Sequence, residues 1–147
     1  MSATLLRTSR LTLPLALFAA AALAQSLEVK VQINATVLTV TNGGTVAIEA
    51  PALNRERTGI VTLRNAGTLN ITVSAITLTG ATAFTLQNVP ALPVTLAPNA
   101  TATFNVRYLP TSANPVTAQV KIDYTENATA HVFNFHLSGA VPDVALS

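Results

Sequence analysis

The 147-residue sequence contains no cysteine and no tryptophan, and only 10% of its residues are charged. Without cysteine the chain can form no disulfide, no thiolate metal site and no thioether-linked haem, and it offers no cysteine for a bacterial lipid anchor. The few charges, eight Lys and Arg against six Asp and Glu, give a net charge of +2. Half of the residues are hydrophobic, which argues against an intrinsically disordered chain.

The first 24 residues have the pattern of a secretory signal peptide. Arg7 and Arg10 form a basic region, residues 11–21 form an apolar region, and Ala22-Leu23-Ala24 places small side chains where signal peptidase requires them. The apolar run is shorter than the roughly 20 residues that a membrane-spanning helix needs. We therefore predict cleavage after Ala24 and export to the periplasm, the cell surface or the medium.

Removal of residues 1–24 changes the charge balance of the protein. Arg7 and Arg10 leave with the signal, so six basic and six acidic residues remain and the mature chain is neutral. A protein that follows a phosphate backbone needs a basic surface, which this composition does not supply. We predict no nucleic-acid partner and no integral membrane segment after cleavage.

After residue 25 the apolar residues recur with a period of two, which is typical of half-buried strands. The clearest runs are 27–33, 101–108 and 116–124, and turn signals such as Asn42-Gly43-Gly44 separate the runs. No helical period is sustained. Seven to nine short strands predict an all-β fold, a two-sheet antiparallel β-sandwich over residues 25–141, with residues 142–147 as a C-terminal tail.

The last two strands predict their own pairing register. A turn at 126–129 places Thr125 opposite Ala130. The apolar residues then face one another on one side of the pair, as Ile122 with Phe133, Val120 with Phe135, and Ala118 with Leu137. The polar residues share the other side, and a shift of one residue would mix the two faces.

Four segments of residues 59–141 carry a recognisable pattern. They are Val61-Thr-Leu63-Arg-Asn65-Ala-Gly67-Thr-Leu69, the strand from Ile71 to Gly80 followed by Phe84, the run from Leu96 to Thr111, and the closing Leu137-Ser-Gly139. This pattern resembles the immunoglobulin-like domains of the ASH/Hydin group and of bacterial choice-of-anchor surface proteins. The resemblance implies an immunoglobulin-like sandwich that binds other proteins or serves as a structural module.

Within this pattern several residues have predicted structural roles. Asn65-Ala66-Gly67 is expected to form a turn in which Asn65 and Gly67 adopt positive φ. Asn99 stands where the family often has glycine. The sequence predicts that four aromatic residues fill the core between the sheets: Phe84, Phe104, Phe133 and Phe135.

Residues suited to catalysis or metal binding are few. His131 and His136 are five residues apart on one strand and therefore face opposite sides, with His131 expected beside Tyr124 and His136 beside Gln119. No nucleophile elbow, glycine-rich phosphate loop or paired-histidine zinc motif occurs. We predict no catalytic, cofactor-binding or metal-binding residue, no cofactor and no enzymatic activity, while a Ser–His–Asp triad assembled in space stays open.

Four Asn-x-Thr triplets could be read as glycosylation sequons, at Asn34, Asn70, Asn99 and Asn127. Threonine is so abundant in this chain that chance matches are expected. Because the signal and the resemblance are of bacterial type, we expect no glycan at these positions.

The sequence favours an exported, non-enzymatic module that binds or scaffolds other proteins at the bacterial cell envelope. The alternative is a subunit of a surface fibre or layer that assembles by β-strand addition through the strand 27–33. We favour pairing of that strand within its own sandwich, because a free alternating strand is an aggregation hazard. A two-domain periplasmic chaperone fits less well, because one domain is predicted.

Overall fold

The computed structural model describes residues 25–143, so the predicted signal peptide and residues 144–147 of the predicted tail lie outside the described part. The described chain forms ten strands: β1 (Leu27–Ile33), β2 (Thr36–Val40), β3 (Thr45–Glu49), β4 (Arg57–Asn65), β5 (Ile71–Gly80), β6 (Phe84–Gln87), β7 (Val94–Leu96), β8 (Thr101–Tyr108), β9 (Val116–Glu126) and β10 (Thr129–Ala140). They form two five-stranded sheets, β2-β1-β4-β8-β6 and β3-β10-β9-β5-β7. Within residues 25–143 no helix is long and apolar enough to cross a membrane.

The core lies between the two sheets and takes the apolar face of each alternating strand. Phe84, Phe104, Phe133 and Phe135 are all buried there, as predicted, and Tyr108 and Tyr124 join them. The predicted all-β sandwich is therefore confirmed. With no disulfide available, burial of these apolar side chains stabilises the fold at roughly 25 cal/mol for each Å² removed from water.

The predicted register of the last two strands is confirmed. β9 and β10 pair with Thr125 opposite Ala130, Ile122 opposite Phe133 and Leu137 opposite Ala118. The connecting loop is shorter than predicted, because Glu126 and Thr129 already pair. β5 contains a β-bulge, since its register against β9 shifts between Val73 and Ala75.

Two features of the predicted sandwich were wrong. The sheets contain ten strands, not seven to nine, because β7 is only three residues long and lies in a connection punctuated by proline. The sandwich is also not wholly antiparallel, because β3 runs parallel to β10, with Val46 opposite Leu137 and Ile48 opposite Gly139.

The parallel pair arises because the chain changes sheets between β2 and β3. The Gly44 amide closes a turn on the Thr41 carbonyl at 2.8 Å. The Gly43 amide donates to the Asn134 carbonyl at 2.7 Å, and the His136 amide donates to the Gly44 carbonyl at 2.8 Å. The turn therefore delivers β3 alongside β10 instead of closing a hairpin on β2.

The structure does not support strand addition through residues 27–33. β1 lies between β2 and β4 and pairs with β2 from Val29 to Ile33 and with β4 from Leu27 to Ile33. Its inward side chains Leu27, Val29 and Val31 are buried. Donation of β1 to a neighbour would break both ladders and expose these residues, so the favoured interpretation, pairing within its own sandwich, holds.

The β9–β10 hairpin provides a first test of the fold. Asn127 and Ala128 both adopt positive φ, 48° and 62°, as a type I′ turn requires. In this left-handed conformation the Cβ atom of alanine lies too close to the following carbonyl oxygen, and glycine has no such atom. Ala128→Gly is therefore expected to raise the free energy of unfolding by about 1 kcal/mol, measured by urea denaturation.

Ala130→Gly is the matched control for that substitution. Ala130 lies in β10, where glycine has more conformational freedom to lose on folding. The control is expected to lose about 0.5–1 kcal/mol. A lower urea midpoint for Ala128→Gly than for the unchanged protein would contradict the assigned turn.

Candidate functional site

The concave regions on the described part of the chain include an end cavity, a loop cavity and a lateral groove. The end cavity, about 410 Å³, lies beside the β9–β10 hairpin and includes Ser26, Tyr124, Glu126 and His131. The loop cavity, about 360 Å³, lies at the other end of β8 and reaches Tyr108. The lateral groove, about 280 Å³, lies between the edges of the two sheets, and Ile33, Asn34, Thr36, Leu38, Ala47, Glu49 and Arg57 line it.

The end cavity has the most polar side chains, but they serve structural contacts. The Ser26 hydroxyl donates to both carboxylate oxygens of Glu126, at 2.6 and 2.7 Å. This contact ties the start of β1 to the β9–β10 hairpin. His131 stacks on Tyr124 with ring centroids 5.2 Å apart, which confirms the predicted neighbour of His131.

These groups do not form a catalytic triad. A nucleophilic serine needs a histidine base that an acid orients, and within residues 25–143 no hydrogen bond joins His131 to an acid. His136 pairs with Gln119 across the strands, as predicted, on the face opposite His131. Among the described residues no three His, Asp or Glu side chains cluster as metal ligands would.

The loop cavity offers no acid–base group either. Tyr108 is fully buried and stacks on Phe84 with ring centroids 4.7 Å apart. Its hydroxyl has no hydrogen-bond partner among the described residues. Burial raises the pKa of Tyr108, so this phenol stays protonated at neutral pH and acts as a core side chain.

The free edge of β2 is the most unusual feature of the surface. Within the described residues β2 pairs only with β1, so its other edge faces solvent. Natural proteins protect such edges with charges, proline or a bulge, and Thr36-Val37-Leu38-Thr39-Val40 has none of these. Val37 and Leu38 are also 56% and 41% exposed. An edge of this kind is able to pair with another extended chain.

The other outer strands of the two sheets are protected. β6 has four residues and β7 has three, and Pro93 and Pro98 lie close to the ends of β7. β3 ends in the charged Glu49, and Pro51 follows it closely. Short length, charge and proline are the usual means of preventing edge pairing. β2 is therefore distinct among the outer strands of the described chain.

The charged side chains of β1, the strand next to β2, are already paired. Glu28 on β1 contacts Arg64 at 3.0 Å and Lys30 at 3.2 Å. The hydrogen bond from Arg64, followed by that from Lys30, lowers the pKa of Glu28. These contacts join β1 to β4 on the outer face of the sheet and leave the β2 edge neutral.

One arginine closes the end of the lateral groove. Arg57 Nε donates to the Glu49 carbonyl at 3.1 Å, and its Nη1 donates to Asn34 Oδ1 at 2.6 Å. Arg57 thereby bridges the β1–β2 turn of one sheet and the end of β3 in the other. This contact holds the two outer strands β2 and β3 at a fixed spacing.

The sequence predicted no site residue and did not reveal the β2 edge. It drew attention to residues 27–33, which the fold places inside a sheet, instead of to 36–40, which the fold places at its border. The one local signal is the absence of charge from β2, whereas β1 carries Glu28 and Lys30 on its outer face. That signal has meaning only once the strand order is known.

Comparison with solved structures shows the fold. Residues of this chain superpose on part of the VesB protease of Vibrio cholerae (TM-score 0.58, 11% identity, 69% of this chain and 31% of that chain). They also superpose on the GAE domain of GGA2p from Saccharomyces cerevisiae (TM-score 0.50, 15% identity, 81% of this chain and 92% of that chain). A further similar structure is the ASH/PapD-like domain 7 of human CEP192 (TM-score 0.48, 13% identity, 78% and 87%).

The similarity to VesB spans about a third of that protein, and at these identities the comparisons show fold alone. No family model and no curated protein matches the chain. The two similar structures with TM-scores of 0.58 and 0.50 agree with the predicted β-sandwich fold. Nothing in the described residues gives positive support for catalysis.

Proposed function

We propose that this protein is an exported, non-enzymatic, immunoglobulin-like module that binds or scaffolds other proteins at the bacterial cell envelope. The observation that carries the proposal is the unprotected edge of β2, with Val37 and Leu38 exposed on it. An open strand edge recognises another extended backbone through main-chain hydrogen bonds, and the flanking side chains give specificity. The partner is therefore a protein.

Three properties of the chain support this proposal. The secretory pattern of residues 1–24 directs the chain out of the cytoplasm. The neutral remainder is unsuited to nucleic acid. The end cavity and the loop cavity present structural contacts in place of a catalytic set, since Ser26 is held by Glu126 and Tyr108 is buried.

Expression of the full chain in a bacterial host tests export. N-terminal sequencing of the periplasmic, surface and medium fractions is expected to show Gln25 as the first residue. Replacement of Ala22 and Ala24 by leucine is expected to block cleavage, because the peptidase pockets admit only small side chains. Ala19→Leu, inside the apolar region, is the control and should still be cleaved. Unprocessed protein retained in the cytoplasm would contradict the proposal.

The binding role is tested in the same host with a photo-crosslinking amino acid at position 38 or 60. Leu38 and Ile60 are equally exposed, at 41% and 42%, but Ile60 lies on the outer face of the inner strand β4. We expect a defined protein adduct at 38, identified by mass spectrometry, and none at 60. Equal labelling at both positions, or no adduct at 38, would rule out β2 as the binding edge.

A further inference from the structure

We infer that the free edge of β2 pairs with β2 of a second copy of this chain, antiparallel and with the two-fold axis at Leu38. The inference rests on the proposed function as a protein-binding module and names its partner. The β2-β1-β4-β8-β6 sheets of the two copies would then join into one sheet of ten strands across the interface.

The backbone of β2 has the pattern that this pairing needs. A two-residue turn joins β1 to β2, and its closing pair is Ile33 opposite Thr36. In an antiparallel hairpin of this length the closing pair is hydrogen-bonded, and every second residue repeats the bond. Thr36, Leu38 and Val40 therefore bond to β1, while Val37 and Thr39 direct their N–H and C=O groups outward. A two-fold axis at Leu38 places Val37 of one copy opposite Thr39 of the other.

The side chains of β2 are compatible with a second copy of themselves. The two Leu38 residues form the non-hydrogen-bonded pair, in which the Cα atoms lie about 4.5 Å apart and side chains approach closely. Each Leu38, 41% exposed in the single chain, would cover the other. β2 carries no charge, so the pairing brings no like charges together.

The charges at the border of the contact also suit a two-fold arrangement. Glu49 and Arg57 line the lateral groove at the Thr36 end of β2. Antiparallel pairing places the Thr36 end of one copy beside the Val40 end of the other. The acidic and basic groups of the two copies therefore lie at opposite ends of the interface and do not repel one another.

The size of the contact predicts a weak dimer. Five residues at about 3.4 Å each give a paired edge of about 17 Å. A stable interface buries about 800 Å² on each partner, which is more than one short edge and its flanking side chains provide. Association is therefore expected to depend on concentration and to be strengthened where many copies are held on one surface.

Cysteine cross-linking tests this pairing, because the chain has no cysteine of its own. In the full chain, expressed with its first 24 residues in a bacterial host and purified, Leu38→Cys places two thiols within the range that a disulfide spans. Mild oxidation with copper phenanthroline is expected to give at least about tenfold more dimer for Leu38→Cys than for Ile60→Cys, which has the same exposure.

The register is tested with two further variants. Val37→Cys and Thr39→Cys face each other across the proposed axis, so a mixture of the two should give mainly the mixed dimer. Val37→Cys alone would place its thiols on a diagonal of about 7–8 Å between Cα atoms and should cross-link poorly. Random collision of exposed thiols would give no such preference.

Sedimentation analysis measures the same association without a covalent cross-link. The unchanged protein is expected to show a rising weight-average mass with concentration, and Leu38→Lys should abolish the rise while Ile60→Lys leaves it intact. Equal cross-linking at 38 and 60, or a constant monomer mass at millimolar concentration, would overturn the inference. If the photo-adduct at position 38 contains only a different protein, self-pairing of β2 is contradicted. The proposed function as a protein-binding module is then still supported, with that protein as the partner. Failure of cleavage at Ala24 would contradict export alone.

Discussion

Replacement of Asn65 by alanine is expected to lower the free energy of unfolding by about 3–5 kcal/mol. Asn65 is fully buried, and its side-chain amide makes three hydrogen bonds. Its Nδ2 donates to the Leu69 carbonyl at 2.7 Å and to the Leu96 carbonyl at 2.9 Å, and its Oδ1 accepts from the Gly67 amide at 2.9 Å. Alanine would leave three backbone groups without partners, each costing about 1–3 kcal/mol where water cannot reach.

Asn65→Asp separates the loss of donors from the loss of volume. Aspartate keeps the size and the acceptor for Gly67 but directs a carboxylate oxygen at two carbonyls, so it should destabilise at least as much as alanine. Asn70→Ala, at an exposed position of the same loop, is the control and should stay within about 0.5 kcal/mol. Urea unfolding curves give all three values, and unchanged stability of Asn65→Ala would show that water replaces the amide.

The role of Asn65 marks a limit of local sequence patterns. The sequence predicted a turn at Asn65-Ala66-Gly67, and the chain does turn there. The predicted reason was wrong, because neither Asn65 nor Gly67 is among the residues with positive φ. The amide instead joins its own loop to Leu96, which is 31 residues away, and no local pattern specifies such a partner.

Local patterns predicted features that depend on neighbours along the chain. The alternation in β9 and β10 fixed their register, because a shift of one residue would have placed Phe133 and Phe135 in solvent. Strand order depends on contacts between distant segments. For this reason the parallel β3–β10 pair, and the position of β2 at the sheet edge, could not be predicted from alternation.

A repeated triplet has a structural meaning that the sequence did not reveal. Asn-Ala-Thr occurs at 34–36, 99–101 and 127–129, and in each case the asparagine has positive φ, 54°, 68° and 48°. The threonine of each triplet is the first residue of a strand, β2, β8 or β10. Asparagine tolerates this conformation better than other residues with a side chain, so the triplets serve as turns that start strands. Asn99 thus takes the position where the resembling family often has glycine.

The position of β2 as the candidate binding edge also depends on contacts between distant segments, which local patterns do not reveal. Both β1 and β2 read as strands in the sequence, and β1 has the more regular alternation. The fold places β1 between two partners, where alternation is needed to fill the core, and places β2 where only one neighbour supports it. Residues 36–40 form the free edge because β2 is neutral and lies at the border of its sheet. Contacts between segments far apart in the chain set the position of that border.

The second large effect is expected at Gly139, where alanine should cost about 3 kcal/mol. A Cβ atom at this position would lie 2.6 Å from Cε2 and Cζ of Tyr108 and 2.8 Å from Cζ of Phe84. β10 cannot retreat, because Gly139 is paired with Val116 on one side and with Ile48 on the other. The stacked rings of Tyr108 and Phe84 must therefore move within a close-packed core.

A double-mutant cycle attributes this cost to the ring of Tyr108. Tyr108→Leu alone should destabilise by leaving a cavity, but in the Gly139→Ala background it should remove most of the clash, so the two changes are expected to couple by more than about 1 kcal/mol. Ser138→Ala, one residue away on the opposite face of β10, is the control and should stay within about 0.5 kcal/mol. Strict additivity of the Gly139 and Tyr108 substitutions in urea unfolding would mean that the ring does not limit residue 139, and that the approach of the two sheets at this end is set by other contacts.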